Sequence, residues 1–329
     1  MEEILEYYRK NTLERSKIIE DKNNELSEIL KKDVLEQILL NSKGEKIYVL
    51  GHINPDTDSI FSSYLLSNIL KSMNIDSEFC VLEKDYEYCD SDKKLILNYL
   101  PINPQIINST NNKKFILVDH NKINKLPKEN IIGAIDHHVI TGEIDNLIEI
   151  EYASTALLIY DLFKDKYKFN KKEKELIFLS VLADTDYLCS SRFKEEDNIL
   201  LEELNVNLDV KKLQKKYFTI TNFNNHIEVN LKSNYKEYNY NNKNIKRTLI
   251  YSYKDEYDKY YNSYLDYIND YEDYLLIWCD FESKKTYIYI NKFKLELDYI
   301  VTSTYLILDM LKGKIGGNYE KSKFKRLFK

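Results

Sequence analysis

Residues 46–60 read KIYVLGHINPDTDSI: an apolar run from Ile47 to Leu50, followed at once by His52, Asp56 and Asp58. Four successive apolar residues bounded by charge and glycine suit a strand buried on both faces, as in a parallel sheet. Such sheets bind their ligands beyond the carboxyl ends of the strands. The polar residues therefore stand where a parallel sheet would place a site.

The arrangement recurs along the chain. Candidate strands EFCVL (78–82), KFILVD (114–119), IIGAID (131–136) and LIEIEY (147–152) alternate with helical segments at 58–72, 91–99, 154–166 and 171–183. This pattern predicts an α/β fold whose parallel sheet is covered by helices on both faces. Asp119 closes the run at 114–118, Asp136, His137 and His138 close the next, and Asp184 ends LSVLAD with Asp186 two residues on. Four of the five histidines fall in these clusters, each beside aspartate.

A lone aspartate at a strand end is ordinarily a turn or helix cap, and Asp58-Ser59 is a natural helix start. Capping explains Asp58 but leaves His52 and Asp56 idle. Several converging carboxylates repel one another unless a cation holds them. Carboxylates with imidazoles and no thiolate suit Mn2+ or Mg2+, with Co2+ or Zn2+ as substitutes. Two ions sharing one carboxylate can activate water and neutralise a phosphoryl oxygen, the chemistry of phosphate ester or anhydride hydrolysis.

Beyond this region, strand-like runs at 245–253, 274–281 and 285–293 and helices at about 254–272 and 299–312 predict a smaller α/β domain. The expected organisation is a helical extension over 1–44, a metal-binding catalytic domain over 45–214 and a substrate-binding domain over 215–329, with the metal site in the cleft between the two domains. The tyrosines at 257, 260, 261, 264, 267 and 271 fall mostly at helical spacing, which favours a partly buried helix face over a base-stacking platform. A net charge of −6 from interspersed residues gives no electrostatic footprint for duplex nucleic acid. The four cysteines form no CxxC pair, which argues against a zinc ribbon or disulfide framework and for a reducing compartment. With no signal-like start and no apolar stretch near the roughly 18 residues of a membrane span, the expected location is cytoplasmic, away from membranes.

In this order, GHINPDTDS, VDHN, IDHHV and LADT resemble the DHH phosphoesterase superfamily, named for the motif that stands here as Asp136-His137-His138. They look most like its family II, manganese-dependent inorganic pyrophosphatases. EYASTALLIYDLF (151–163) and LKSNYKEY (231–238) extend the likeness, the latter resembling the lysine-bearing motif of that family's DHHA2-type second domain. The resemblance implies that His52 and Asp56 hold one Mn2+ while Asp58, His137 and Asp184 hold the other, with Asp119 bridging. It implies that His138 assists or orients the phosphate, that Lys236 clamps a terminal phosphate, that His120 and Asn121 steady Asp119, and that Asp136 supports its neighbouring histidines. A homodimer through the first domain's sheet edge is implied as well.

The family's C-terminal Ser-Arg-Lys signature is altered. In the nearest stretch, GNYEKSKFKRLFK, Ser322-Lys323 stands in for the first two residues, Phe324 occupies the third, and Lys325 and Arg326 offer charge at shifted positions, which makes Lys323, Lys325 and Arg326 the candidate substrate-binding cations; lysine in place of arginine loses bidentate phosphate recognition. The leading expectation is hydrolysis of pyrophosphate by a metal-activated water. An exopolyphosphatase with the same centre is the runner-up, mildly favoured by the N-terminal extension. A nuclease of short single strands would need a glycine-rich, histidine-containing motif, and Gly316-Gly317 lacks the histidine. A non-enzymatic regulatory protein on the same scaffold is the remaining alternative.

Overall fold

A computed structural model describes residues 31–83, 92–122, 126–140, 144–188, 193–219, 223, 227–233, 235–240, 242–290, 293–298, 300–302 and 304–311. A helix, α1 (residues 31–41), leads into β1 (Ile47–Leu50), α2 (Thr57–Ser72), β2 (Ser77–Leu82), α3 (Lys93–Tyr99), β3 (Gln105–Ile107), β4 (Lys114–Val118), β5 (Ile131–Asp136) and β6 (Leu147–Glu149). The six strands are parallel throughout, in the order β3-β2-β1-β4-β5-β6. The connections from β1 and β4 diverge, which opens a crevice at the carboxyl ends of these two neighbours. His52 follows β1, and Asp119 follows β4.

Helices α4 (Thr155–Phe163), α5 (Lys171–Asp184) and α6 (Glu195–Leu204) complete the first layer, with α7 (Val210–Leu213) beyond them. Leu35 and Ile38 of α1, Leu66 and Ile69 of α2, Leu157 of α4, Ile177 of α5 and Leu201 of α6 share one core with Ile47, Val49, Ile116, Val118 and Ile135 of the strands. The last turns of the N-terminal extension thus belong to the first domain's core. A side chain at Gly133 would come within 2.7 Å of both Ile38 Cγ1 and the Asn146 carbonyl, so α1 can dock on β5 only because that position is glycine.

Helical cover was expected on both faces; among the described residues the helices line one. The other face, with Leu50, Cys80, Phe115, Leu117 and Ala134, is closed by Leu126 and Ile144 from irregular segments. It needs less cover, because Tyr48 and Leu82 there are only half buried and Lys46 and Lys113 lie over the Tyr48 ring.

The second domain comprises α8 (Ile227–Ser233), β7 (Tyr235–Tyr240), β8 (Lys243–Ser252), α9 (Lys254–Ile268), β9 (Tyr274–Asp280), β10 (Lys285–Ile290), β11 (Phe293–Leu297) and α10 (Thr304–Leu311). Its sheet runs β11-β10-β9-β8-β7 and is antiparallel except where β8 meets β9. That parallel pair needs a crossover, which α9 supplies. Tyr261 and Tyr264 of α9 are buried edge-on around Trp278, so this side of the tyrosine helix is a core face.

Candidate metal centre

At the end of β1 the chain turns on Gly51. A Cβ there would fall 2.0 Å from Ser59 Oγ, the hydroxyl that accepts the His52 backbone N–H at 2.9 Å. Asp56, in extended backbone, caps α2 by accepting from Ser59 N at 3.0 Å, and Asp92 accepts from Thr57 N at 2.9 Å. The cap therefore belongs to Asp56 rather than Asp58. Asp58 faces inward from the first turn of α2 and takes the N–H groups of Thr155 and Ala156, at 2.7 and 3.0 Å, at the start of α4. Two helix N-termini, with their partial positive charge, thus meet at the crevice.

At the end of β4, Asp119 adopts a left-handed backbone with φ of 62°, which aspartate tolerates better than bulkier residues. Its buried carboxylate accepts from Thr155 Oγ1 at 3.2 Å. At the end of β5, Asp136 accepts from both the backbone N–H and Nδ1 of His138, at 3.1 and 2.9 Å. Asn121 donates to Asp136 Oδ2 at 2.8 Å and to the Val139 carbonyl at 3.1 Å. It steadies Asp136 and the histidine turn. His120 bonds its own strand, Nδ1 donating to the Val118 carbonyl at 3.0 Å, and burial holds its imidazole below the usual range.

These strand ends, the start of α2 and the end of α5 bring six side chains together. His52, Asp56 and Asp119 form one group able to hold an ion; Asp58, Asp119, His137 and Asp184 form another; Asp119 is common to both. His52 Nε2 lies 3.2 Å from Asp56 Oδ2 and 3.4 Å from Asp119 Oδ2. His137 Nε2 lies 3.3 Å from Asp119 Oδ1, 3.3 Å from Asp184 Oδ2 and 3.9 Å from Asp58 Oδ2. His138, about half exposed, groups with Asp119 and His137 at the mouth.

The donor set suits a cation. The Nδ1 atoms of His52 and His137 are each tied to a carbonyl, of Ile53 at 2.8 Å and Tyr152 at 2.9 Å. A carbonyl can only accept, so Nδ1 carries the proton and the neutral ring turns its Nε2 lone pair into the cluster. His137 Nε2 is buried without a hydrogen-bond partner, aimed at three carboxylates. Three carboxylates and a lone pair facing one point require a positive charge there. Without a metal, protons fill the role. Burial depresses the His52 imidazole, but hydrogen bonds and charge from Asp119 and Asp56 outweigh it and carry it up to about 12. His137 is likewise buried and lifted well above its usual range by Asp119, Asp184 and Asp58. Burial and the Asp119 charge push Asp58 up to about 7, while burial and the Asp58 charge push Asp184 well above the carboxylate range. Asp119 is driven the other way: despite burial, the two imidazoles hold it far below that range.

The chemistry of this centre and its position in the chain coincide with a known domain type. The DHH family, N-terminal domain, matches residues 46–191. The chain carries a DHH domain. Relatives of this DHH domain include the manganese-dependent inorganic pyrophosphatase of Methanothrix thermoacetophila, 28% identical over 171 residues, which are 49% of this chain and 54% of that protein. The probable manganese-dependent inorganic pyrophosphatase of Archaeoglobus fulgidus is 29% identical over 180 residues, 48% of this chain and 55% of that protein. The chain spans about half the length of the curated relatives it matches. In fold it is similar to a putative family II inorganic pyrophosphatase of Methanococcus jannaschii, with a TM-score of 0.54 at 19% identity, covering 78% of this chain and 95% of the other.

All six clustered side chains lie in the DHH domain, whereas Lys236 lies outside it. Lys236 is exposed on β7, in register with Arg247 of β8. Lys323, Lys325 and Arg326 lie outside the described residues. Two contributors escaped the sequence reading. Thr155 reads there only as part of a helix start. Asp186 stands there beside Asp184 without a role of its own. Arg247, a charge inside an apolar strand, is buried and donates to Thr304 Oγ1 at 3.1 Å and to the Tyr238 hydroxyl at 2.9 Å.

Proposed function

We propose that this chain is a metal-dependent phosphoric anhydride hydrolase that cleaves inorganic pyrophosphate, using Mn2+ ions held by His52, Asp56, Asp58, Asp119, His137 and Asp184. The observation that carries this reading is Asp119, one buried carboxylate common to two ligand groups, beside the partnerless Nε2 of His137. The names of the relatives support both the metal and the substrate. Bound Mn2+ would supply charge neutralisation on phosphoryl oxygens and an acidic water.

The chain's own residues divide the remaining work. Thr155 and the two imidazoles orient Asp119, and the start of α4 holds Asp58 as an anion acceptor. Asp136 holds Nδ1–H of His138, which leaves that ring's Nε2 to meet a phosphate oxygen at the exposed mouth. Lys236 is assigned to the terminal phosphate, a positioning role suited to phosphoryl transfer.

The test offers pyrophosphate, tripolyphosphate, long polyphosphate and a short oligonucleotide to protein loaded with Mn2+, Mg2+ or Co2+, and measures released phosphate or nucleotide. Fastest turnover on pyrophosphate with Mn2+ is expected. Preference for long chains would replace the assignment by an exopolyphosphatase, and silence on every substrate would leave a non-catalytic binding protein.

A further inference from the structure

The segment that follows Asp184 is unusual. Asp186, Tyr187 and Leu188 have φ values of 49°, 56° and 65°, three successive left-handed residues with no glycine among them. L-residues with a Cβ avoid this region, and tyrosine and leucine gain nothing from it locally. Such a turn persists only where its surroundings over-determine it.

Part of the restraint is internal. Thr185 caps α5 through its N–H to the Val181 carbonyl, Tyr187 N donates to the Leu182 carbonyl at 2.7 Å, and Leu188 N donates to Thr185 Oγ1 at 3.1 Å. The rest comes from the second domain. The Asp186 carboxylate accepts from the Tyr251 hydroxyl on Oδ1 and from Thr302 Oγ1 on Oδ2, both at 2.5 Å. Tyr251 belongs to β8, and Thr302 lies two residues before α10. One carboxylate, two residues from Asp184, is thus gripped on both oxygens by hydroxyls of the other domain.

We propose that Asp186 is a positioning residue that couples the two domains to the metal centre. Seating of the second domain on Asp186 holds the left-handed turn, and the turn sets the Asp184 carboxylate against His137. Asp184 is the last residue of α5, so any relaxation of the turn is transmitted to its side chain before the helix can absorb it. Metal affinity then depends on groups that never touch the metal, and by reciprocity a bound metal favours the seated domain. The inference rests on the metal-centre reading above and extends it.

The test removes the two hydroxyls from the far side. Tyr251→Phe, Thr302→Val and their combination are made in the full chain, and Mn2+ affinity is measured by titration calorimetry, without substrate. The combined variant is expected to bind Mn2+ about tenfold more weakly, the lower range for loss of outer supports of a metal site. Tyr253→Phe is the control, since it cuts a different bond between the domains, to Gln214 Oε1 at 2.8 Å, and keeps both hydroxyls that hold Asp186. Its affinity is expected to stay at the parent value. Circular dichroism of each variant establishes folding, and the near-isosteric Thr302→Val keeps the test open if Tyr251→Phe does not fold. Unchanged affinity in both Tyr251→Phe and Thr302→Val overturns the coupling while leaving the metal reading intact. An equal loss in Tyr253→Phe overturns it in favour of general loosening. A parent protein that holds no Mn2+ overturns both readings together.

Discussion

His137 donates Nδ1–H to the carbonyl of Tyr152 at 2.9 Å, and this one bond commits its Nε2 to the carboxylates of Asp119, Asp184 and Asp58. The same logic holds for His52, tied at Nδ1 to Ile53. Each ring offers its Nε2 to a cation or, without one, is raised toward the imidazolium form by its carboxylate neighbours.

Metal loading should therefore expel protons. Burial lowers His52 and His137, but their carboxylate partners raise both, His52 to about 12, so both imidazoles are protonated in the metal-free protein at neutral pH. Asp58, raised to about 7 by burial and by Asp119, keeps its proton below that pH. Mn2+ displaces these protons, so calorimetry at pH 6.5 in buffers of different ionisation enthalpy should show net release, and affinity should rise with pH. The sign for stability follows. The raised Asp58 contributes stability to the metal-free fold that is full below about 3.8 and is lost as pH climbs through about 7. The gain in melting temperature on adding Mn2+ should accordingly grow between pH 5 and 8. A flat dependence on both measures would sink the carboxylate and imidazole ligand set.

Asp119→Asn is the sharpest substitution in the centre. Asparagine also tolerates φ of 62°, so the turn survives while the charge goes. Because both ligand groups share this residue, metal counting on the folded variant should show weakened binding at both positions, and hydrolysis should fall at least about a hundredfold. Loss of only one ion would mean that Asp119 does not bridge.

Gly51→Ala should disturb the centre without touching a ligand. The new methyl would meet Ser59 Oγ and, at 3.0 Å, the Ser59 carbonyl, displacing the bond that orients His52. Overpacking of this kind costs about 1–3 kcal/mol. A thermal melt should show that loss, and Ser59→Ala added to it should restore only part, because the carbonyl contact remains.

Lys236→Ala should raise KM for pyrophosphate and leave Mn2+ affinity unchanged, since Lys236 stands on the second domain and outside both ligand groups. Kinetics identical to the parent would remove Lys236 from the site.

The parallel sheet and the strand-end clusters are legible in the sequence because apolar runs such as 47–50 and 115–118 break abruptly at His52 and Asp119. β3 is not legible: it has three residues, and Gln105 and Ile106 are exposed at the sheet edge. β7, YKEYNY, escapes for a related reason, being mostly solvent-facing and polar, so no burial pattern marks it. Side-chain partners across long separations are harder still. Nothing local shows that Asp58 serves α4, 97 residues on, or that Asp186 meets Thr302, 116 residues on. The ligand types can be read locally; the bonds that aim them are made by folding.

Gly133 is a socket shaped to receive Ile38. A shortened chain starting at residue 45 would keep every clustered histidine and aspartate yet lose Leu35 and Ile38, whose burial is worth about 1.5–3 kcal/mol each. The hole would open beside β5, the strand that delivers Asp136, His137 and His138, at a glycine that has no side chain to fill it. The helix before the first strand is thus the stopper of the first domain, and the two have to be inherited together.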